Sequence, residues 1–546
     1  MCMFIFQTRS FWKQMHISRR LLNKRFKHFF GEIDREIEDR NDAMQVLMNV
    51  ISEIQEGMVE RIRKEDTYGI LLKLYFIFDE VHSLYLKEKE ARTNLVKQNI
   101  DAQELLDDFI NNSQIERNII EACNIWIENC VLLQHDLDIK NLKLKKQFVM
   151  DYNLIIDMFL YGLASRSISL LSLSKNIDKK NTYYGVKITI DDDIPVEVLK
   201  YHPYIFFNTA IVGNQGDLDD HSFTVDADKT DFGKGFNEEM KVPFLPFLAV
   251  VKNFQDILLR KDDKSLTVIS KEDFIDVAGR YSTPSVDGEA FYESFVLTKD
   301  KLGKYLRKNE PIIWVMGANK VRHEIVPFIG LEDGNVLIAY GALEQAKQLW
   351  ISYFNNGGAY YTIPNKSDNL KTAMEKRNKQ LSDVLVEKLR EILRAHYTPD
   401  IDLKDVDYDR IFGEKEENYG DYDIVFFNKE AKELFLIESK YFSDSLNSSG
   451  LVNDYNKMFG EGGYYSHCRK RYDLVLAEPD KLKEFVETEE KIAVHMLFVS
   501  SKPIEMELQD EDGVVTFLSL NIFEKYVEGK LISGEDDSVV RPIHEI

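Results

Sequence analysis

The chain contains little cysteine, and the cysteines are widely spaced. Its 546 residues include four, Cys2, Cys123, Cys130 and Cys468, and no C-x-x-C pair. Disulfide frameworks and structural zinc sites are built from closely spaced, paired cysteines. We therefore expect neither, and we expect the thiols to stay reduced, as they do in a cytoplasm.

Long apolar runs are missing as well. No segment approaches the about 20 apolar residues that a membrane-spanning helix needs. The first apolar run, MCMFIF, precedes its basic residues and is too short for the central region of a signal peptide. We therefore expect a soluble, cytoplasmic protein without a membrane partner.

An excess of positive charge is also absent, because the formal net charge is -23. This argues against binding to nucleic acids through a generally basic surface. It does not exclude a nucleic-acid enzyme, since phosphate binding needs only a local basic groove. The P-loop spacing G-x-x-x-x-G-K-[ST] does not occur, so we expect no nucleotide-hydrolysing motor.

The length and composition predict a multidomain α and α/β protein. A chain of 546 residues is too long for one core, and 44% hydrophobic residues can bury several. Apolar positions recur every three and four residues at first, which predicts an N-terminal helical bundle over 1–175. Short β-like runs such as FLPFLAVV and NVLIAY predict an α/β middle domain over 176–365. The Gly-Gly and Pro punctuation of 355–369 then precedes a C-terminal α/β domain over 370–546.

The most informative stretch is GDYDIVFFNKEAKELFLIESKYF, residues 420–442. Two apolar runs flank a short polar turn, which predicts a β-hairpin. Side chains alternate along a strand, so Glu438 and Lys440 share one face at the end of an apolar strand. Asp423 opens the first run, and such a hairpin brings it close to Glu438.

Two acids and a base in this arrangement predict a metal site. Neighbouring carboxylates repel each other unless a cation neutralises them, and oxygen ligands suit Mg²⁺ or Mn²⁺. We expect Asp423 and Glu438 to bind the ion, and Lys440 to position the attacking water or the scissile phosphate. In the alternative interpretation, Asp423 is a strand-entry residue, and Glu438 and Lys440 form an ordinary ion pair. Burying charges without a function is costly, which favours the metal site.

Two similar triplets lie nearby, but their surroundings differ. Glu430 with Lys432 and Glu489 with Lys491 have the same E-x-K spacing and stand in polar contexts. We expect them to be surface charges at turns.

At these residues the sequence resembles the PD-(D/E)xK nuclease superfamily, which has the restriction-endonuclease-like fold. Residues 420–425, GDYDIV, look like the G-x-x-D-hydrophobic strand of that family, and residues 437–440, IESK, look like its hydrophobic-E-x-K strand. The resemblance covers about 370–546. It implies an α-β-β-β-α-β core with a mixed central sheet.

The resemblance also implies Mg²⁺-dependent phosphodiester hydrolysis, with Asp423, Glu438 and Lys440 in the catalytic positions. Many members carry a further acid on the helix before the D strand. The candidates here are Glu375, Asp383 and Glu387. In the family, the helix after the E-x-K strand often contributes a basic or amide side chain. That segment offers His467, Arg469, Lys470 and Arg471 beside Tyr464 and Tyr465.

The function implied is that of a nuclease, a hydrolase acting on nucleic acids, with DNA favoured over RNA. Endonuclease and exonuclease action both stay open. By analogy with family members, we expect a role in restriction or antiviral defence. The alternative is a catalytically inactive nuclease-fold protein that binds nucleic acid or acts as a scaffold. In either case the helical N-terminal half is a candidate surface for homo-oligomerisation.

Overall fold

The computed structural model describes most of the chain. The described residues are 11–31, 35–37, 39–64, 67–97, 103–133, 150–173, 185–188, 196–199, 226–259, 266–280, 286–305, 322–357, 368–443, 454, 456–460, 462–502, 513–532, 538–540 and 544–546.

The chain divides into two compact units. The first comprises Met1–Tyr201, Ser222–Glu375 and Asn447–Ser449, and the second comprises His202–His221, Lys376–Leu446 and Gly450–Ile546. Helices dominate, and mixed sheets occur in the C-terminal part, so the protein has a multidomain α and α/β architecture. Most of the predicted domains 1–175 and 176–365 falls within the first unit. The predicted division into three domains stays a prediction.

The helices are numbered in chain order. Their bounds are α1 Phe11–Gln14, α2 Arg19–Phe30, α3 Arg40–Lys64, α4 Thr67–Lys97, α5 Gln103–Leu133, α6 Tyr152–Leu173, α7 Asp231–Met240, α8 Phe244–Leu259, α9 Lys271–Arg280, α10 Gly288–Phe295, α11 Lys299–Tyr305, α12 Tyr340–Asn356, α13 Asp368–His396, α14 Asp409–Phe412, α15 Tyr464–Ala477, α16 Pro479–Phe485 and α17 Leu520–Val527.

The strands form three sheets in the described residues. Their bounds are β1 Arg35–Ile37, β2 Gly185–Ile188, β3 Val196–Leu199, β4 Leu266–Ser270, β5 Val296–Leu297, β6 Phe328–Gly330, β7 Asn335–Ala339, β8 Ile401–Asp407, β9 Asp421–Asn428, β10 Glu433–Lys440, β11 Ala493–Ser500, β12 Thr516–Ser519 and β13 His544–Glu545.

In the first unit, the N-terminal helices pack through apolar faces. Leu74, Phe78 and Val81 of α4, for example, recur at helical spacing and are buried. The predicted helical character is confirmed for the described residues up to 173, except for β1, which pairs antiparallel with β2. The amide of Gly341 on α12 donates a hydrogen bond to Oδ1 of Asp79 on α4 at 2.9 Å. A Cβ at Gly341 would lie 2.3 Å from that oxygen, so this approach requires glycine.

The middle part of the first unit contains a sheet ordered β4-β7-β6-β5. The predicted strand NVLIAY is confirmed as β7. The prediction of a strand at FLPFLAVV is wrong, because these residues begin the helix α8. A continuous apolar run does not distinguish a buried strand from a helix buried on most of its surface. Phe244 and Phe247 of α8 lie in an aromatic core with Phe236 and Trp350, and Phe254 of the same helix packs against Phe328.

In the second unit, a mixed sheet has the order β12-β11-β10-β9-β8, and β13 pairs with β11. Strands β8, β9 and β10 are antiparallel neighbours, whereas β10, β11 and β12 run parallel. Helix α13 covers one face. Its buried leucines pack on alternate residues of the central strands, such as Phe426, Phe435 and Ile437. The next residue after Ile437, Glu438, therefore points to the opposite face of the sheet.

Among the described helices, none has by itself the length and apolar composition to cross a membrane. By those two criteria alone the pair Asp231–Met240 and Phe244–Leu259 would qualify together, with a bend of 64° between them.

Candidate active site

The β9–β10 hairpin brings the predicted acids and base together. Its register runs from Glu433 opposite Asn428 to Ile437 opposite Ile424. One step further along this register, Glu438 and Asp423 would face each other, but the ladder ends before them. The site thus begins where the regular pairing of the hairpin stops.

Asp423 is held by the end of the neighbouring strand. Its Oδ2 accepts hydrogen bonds from the backbone amide of Ser439 at 2.6 Å and from the Ser439 hydroxyl at 3.2 Å. The amide of Ser439, which lies beyond the end of the β9–β10 pairing, thus donates to the side chain of Asp423 and not to a backbone carbonyl of β9. The hydrogen bonds and the ion pair of Asp423 all end on Oδ2, which leaves Oδ1 available within the described part of the chain.

Glu438 is buried between two cationic side chains. Its Oε1 lies 2.6 Å from Nζ of Lys440, and its Oε2 pairs closely with Nη2 of Arg471. Burial raises the pKa of Glu438, and the charge of Asp423 adds to this, whereas the positive charges of Lys440 and Arg471 act in the opposite direction. The net pKa stays above the ordinary glutamate value. The two cations therefore reduce the cost of keeping this buried carboxylate ionised.

Lys440 contacts both acids. Its Nζ lies 3.6 Å from Oδ2 of Asp423 as well as against Glu438, and its side chain is 26% exposed. Burial by itself would lower the pKa of Lys440, but the two carboxylates outweigh burial and raise it. Both carboxylates therefore lie against one nitrogen and are close neighbours. Two oxygens that share a Mg²⁺ ion lie within about 4 Å of each other, because each is ~2.1 Å from the ion.

Arg471 reaches this site from helix α15. Its Nη1 donates to the carbonyl of Tyr419 at 2.9 Å, and the hydroxyl of Tyr472 on the same helix donates to the carbonyl of Leu436 at 2.9 Å. The helix is thereby fixed against β10. Among the basic residues predicted for this segment, Arg469 pairs instead with Asp473 and Lys470 with Glu417.

Two further acids, which the sequence did not single out, lie beside Asp423. Carboxylate oxygens of Asp405, Asp421 and Asp423 all lie within 4.8 Å of one another, and this group could hold a metal ion. Asp405 has a φ of 51° and faces Asp423 at a point where the β8–β9 pairing is interrupted. Asp421 could have been noticed, because it precedes Asp423 by two residues. The sequence did not indicate Asp405, because β8 (IDLKDVD) is largely polar and is not recognisable as a strand.

Two of the candidate helix acids, Asp383 and Glu387, make no contact with the site among the described residues. Glu387 on α13 pairs with Arg390 at 2.7 Å and with Lys404 at 3.6 Å. Within the described residues, no hydrogen bond or ion pair links Asp383 or Glu387 to the three predicted site residues. Glu375 belongs to the first unit. Asp383 and Glu387 lie away from Glu438 because α13 packs on the opposite face of the sheet.

The two similar triplets lie at the surface, as predicted. Glu430 and Lys432 are exposed in the hairpin turn, where Lys432 pairs with Glu490. Glu489 and Lys491 are exposed as well. The buried triplet at Glu438 is thus distinguished by its surroundings and not by its spacing.

Comparisons with known proteins add no relative. No protein-family model, curated protein or solved structure matches the chain.

Proposed function

We propose that the second unit is a metal-dependent nuclease that hydrolyses phosphodiester bonds of nucleic acids, with DNA as the favoured substrate. The observation that carries the proposal is the convergence of Asp423, Glu438 and Lys440 at the end of the β9–β10 hairpin. Two acids can hold a metal ion that assists hydrolysis of a phosphate ester, and a lysine beside them can orient the water or the phosphate.

The order of elements supports the same proposal. From α13 onward the chain runs through β8, the short helix α14, the antiparallel hairpin of β9 and β10, the helices α15 and α16, and then β11, which is parallel to β10. This agrees with the α-β-β-β-α-β core that the PD-(D/E)xK resemblance implies. The restriction-endonuclease-like fold is therefore part of the proposal.

The donor set fits Mg²⁺ or Mn²⁺. The residues that would hold the ion are Asp423, through its available Oδ1, and Glu438. A carboxylate offers about four lone-pair sites, so Glu438 can face Lys440 and a metal ion together. A bound ion would lower the pKa of a water molecule and stabilise negative charge on the phosphate.

Each side chain then has a distinct task. The amide and hydroxyl of Ser439 orient Asp423. Arg471 holds Glu438 in place and favours its ionised form. Lys440, the most accessible of the cations at this point, places its ammonium where it can orient the attacking water or bind the scissile phosphate.

A nicking assay tests the proposal. Plasmid DNA, single-stranded DNA and RNA are incubated with the full chain in Mg²⁺, Mn²⁺ or a chelator. We expect metal-dependent cleavage that Glu438→Ala abolishes and Lys432→Ala leaves unchanged. Parent protein that is inert on all three substrates with both metals, or a Glu438→Ala variant that cuts as well as the parent, would overturn the proposal.

One observation favours a second candidate, a nuclease-fold protein that binds nucleic acid without cutting it. Lys440 and Arg471 already neutralise Glu438 without a metal ion. In that case nucleic-acid binding would be independent of Mg²⁺, and Glu438→Ala would leave it unchanged. By analogy, we also propose a cytoplasmic role in antiviral defence, with the N-terminal half available for homo-oligomerisation.

A further inference from the structure

A buried carboxyl group without a partner lies in the helical part of the first unit. Glu116 of α5 is 0% exposed, and neither of its carboxylate oxygens has a hydrogen-bond partner among the described residues. Buried polar groups are hydrogen-bonded in the great majority of cases, so each exception needs a reason. A buried carboxylate without a partner is among the most costly exceptions.

A second carboxylate lies close to this one. Nδ2 of Asn112 donates to Oε1 of Glu88 on α4 at 3.1 Å, which places Glu88 against α5 at residue 112. Glu116 follows Asn112 by four residues, so it lies one helical turn away on the same face of α5. Glu88 is also buried, with 9% of its surface exposed.

From this pair we propose that Glu88 and Glu116 form a binding site for a divalent cation that prefers oxygen ligands, such as Ca²⁺ or Mn²⁺. Both oxygens of Glu116 are available to the ion in a bidentate arrangement, which Ca²⁺ commonly accepts from a glutamate. The site is independent of the proposed nuclease centre, which belongs to the other unit.

A bound metal ion accounts for the two unpartnered oxygens of Glu116 better than a bound proton does. Protonation of one oxygen of Glu116 would remove the charge, but the second oxygen would still lack a donor among the described residues. A cation held by both oxygens satisfies them together. It also offsets the repulsion between two neighbouring acids, which otherwise raises the pKa of Glu116 further beyond the effect of burial.

The site has a structural consequence for the N-terminal segment. Nε2 of Gln14 donates to Oε1 of Glu88 at 3.1 Å, and the amide of Phe11 donates to Oδ1 of Asn112 at 3.0 Å. Helix α1 is thus attached to the same side chains that surround the site. A bound cation should therefore stabilise the docking of α1 on α4 and α5.

The test is a titration of the metal-free full chain with Ca²⁺ and with Mn²⁺ by calorimetry, together with thermal unfolding. Relative to the parent, we expect Glu116→Gln to bind one ion fewer per chain and to lose a cation-dependent rise in unfolding temperature of several degrees. Ions bound elsewhere, including those at Asp423 and Glu438, are common to both proteins and cancel. Glu56→Gln, the same change at an exposed position of α3, should behave like the parent.

The matching structural readout is hydrogen exchange at residues 11–14, which the cation should slow in the parent and not in Glu116→Gln. Equal stoichiometry in parent and variant would overturn the proposal and assign a proton to Glu116. Should Glu116→Gln fail to fold, Glu88→Gln provides the same comparison, because glutamine keeps the Oε1 acceptor used by Asn112. Unchanged ion binding in Glu88→Gln would likewise overturn it.

Discussion

The ammonium nitrogen of Lys440 lies 2.6 Å from Oε1 of Glu438, two residues earlier on the same strand, and 3.6 Å from Oδ2 of Asp423. One positive charge therefore lies against both acids of the proposed metal site. It lowers the repulsion between them, and it also opposes the arrival of a second cation.

This relationship leads to a prediction for Lys440→Ala. Cleavage should fall roughly 100-fold or more, because the group that orients the water or phosphate is lost. The affinity for Mg²⁺ should rise, because a competing positive charge is removed. Plasmid nicking measures the first effect and calorimetry with Mg²⁺ the second.

The matched control is Lys432→Ala, the exposed lysine of the neighbouring E-x-K triplet, which pairs with Glu490. It should change neither quantity. Weaker Mg²⁺ binding in Lys440→Ala would argue that the lysine supports the metal site and does not compete with it.

The contact between Arg471 and Glu438 predicts a change in pH dependence. Burial raises the pKa of Glu438, and the charge of Arg471 lowers it. In Arg471→Gln that pKa should rise further, so the carboxylate becomes protonated at a higher pH as the solution is acidified. Cleavage needs the ionised form, so the variant should lose activity at acidic pH and keep it at higher pH. The measurement is the pH profile of single-turnover cleavage.

For this profile Arg469→Gln is the control, since Arg469 lies on the same helix but pairs with Asp473. A profile of Arg471→Gln that is lowered equally at every pH would contradict the electrostatic role and indicate a purely structural one.

The three neighbouring aspartates give a third prediction. Two sets of side chains could bind the ion: Asp423 with Glu438, or the group of three aspartates. Asp423 belongs to both sets, so Asp423→Asn should abolish cleavage. Asp405→Asn and Asp421→Asn remove exposed charges and should cause only a modest increase in the Mg²⁺ concentration needed for half-maximal cleavage. Mg²⁺ titrations of cleavage by the three variants provide the measurement. If Asp421→Asn is as inactive as Asp423→Asn, the aspartate group and not Glu438 binds the ion.

The buried histidine of the first unit predicts how stability depends on pH. Nδ1 of His323 lies 2.6 Å from Oδ1 of Asn124, and Nε2 lies 2.6 Å from the hydroxyl of Tyr75, so the neutral ring is fully hydrogen-bonded. Burial lowers the pKa of His323 from 6.5 to about 3. Between these two values the unfolded chain binds a proton that the folded protein does not bind. Stability should therefore fall as the pH drops through this range, by up to roughly 5 kcal/mol.

Urea unfolding across this range measures the effect, and His323→Gln should flatten the dependence. Glu128, which accepts hydrogen bonds from the backbone amides of Arg322 and His323, acts in the opposite direction. Burial raises its pKa from 4.5 to about 7, so its contribution is present at low pH and is lost as the pH rises through that window. A pH dependence that is identical in the parent and in His323→Gln would refute the assignment.

The elements with strong local patterns were predictable. Apolar alternation and the polar turn define the β9–β10 hairpin, and helical spacing defines the N-terminal helices. The placement of Glu438 and Lys440 on one strand face follows from alternation alone. By contrast, FLPFLAVV was assigned to the wrong class, because an apolar run lacks the periodicity that separates helix from strand.

The sequence by itself determined which groups are near one another along the chain: the acid and base of the E-x-K triplet, and the aspartate one hairpin away. Tertiary structure alone decided which distant groups join them. Arg471 enters the site because α15 packs on the face that Glu438 occupies, and Glu387 does not, because α13 packs on the other face. Asp405 lies beside Asp423 because it is part of β8, a polar edge strand whose pairing with β9 is interrupted at this residue. The physical reason is that alternation and hydrogen-bond register act over a few residues, whereas the side of a sheet on which a helix packs depends on the folding of the whole core.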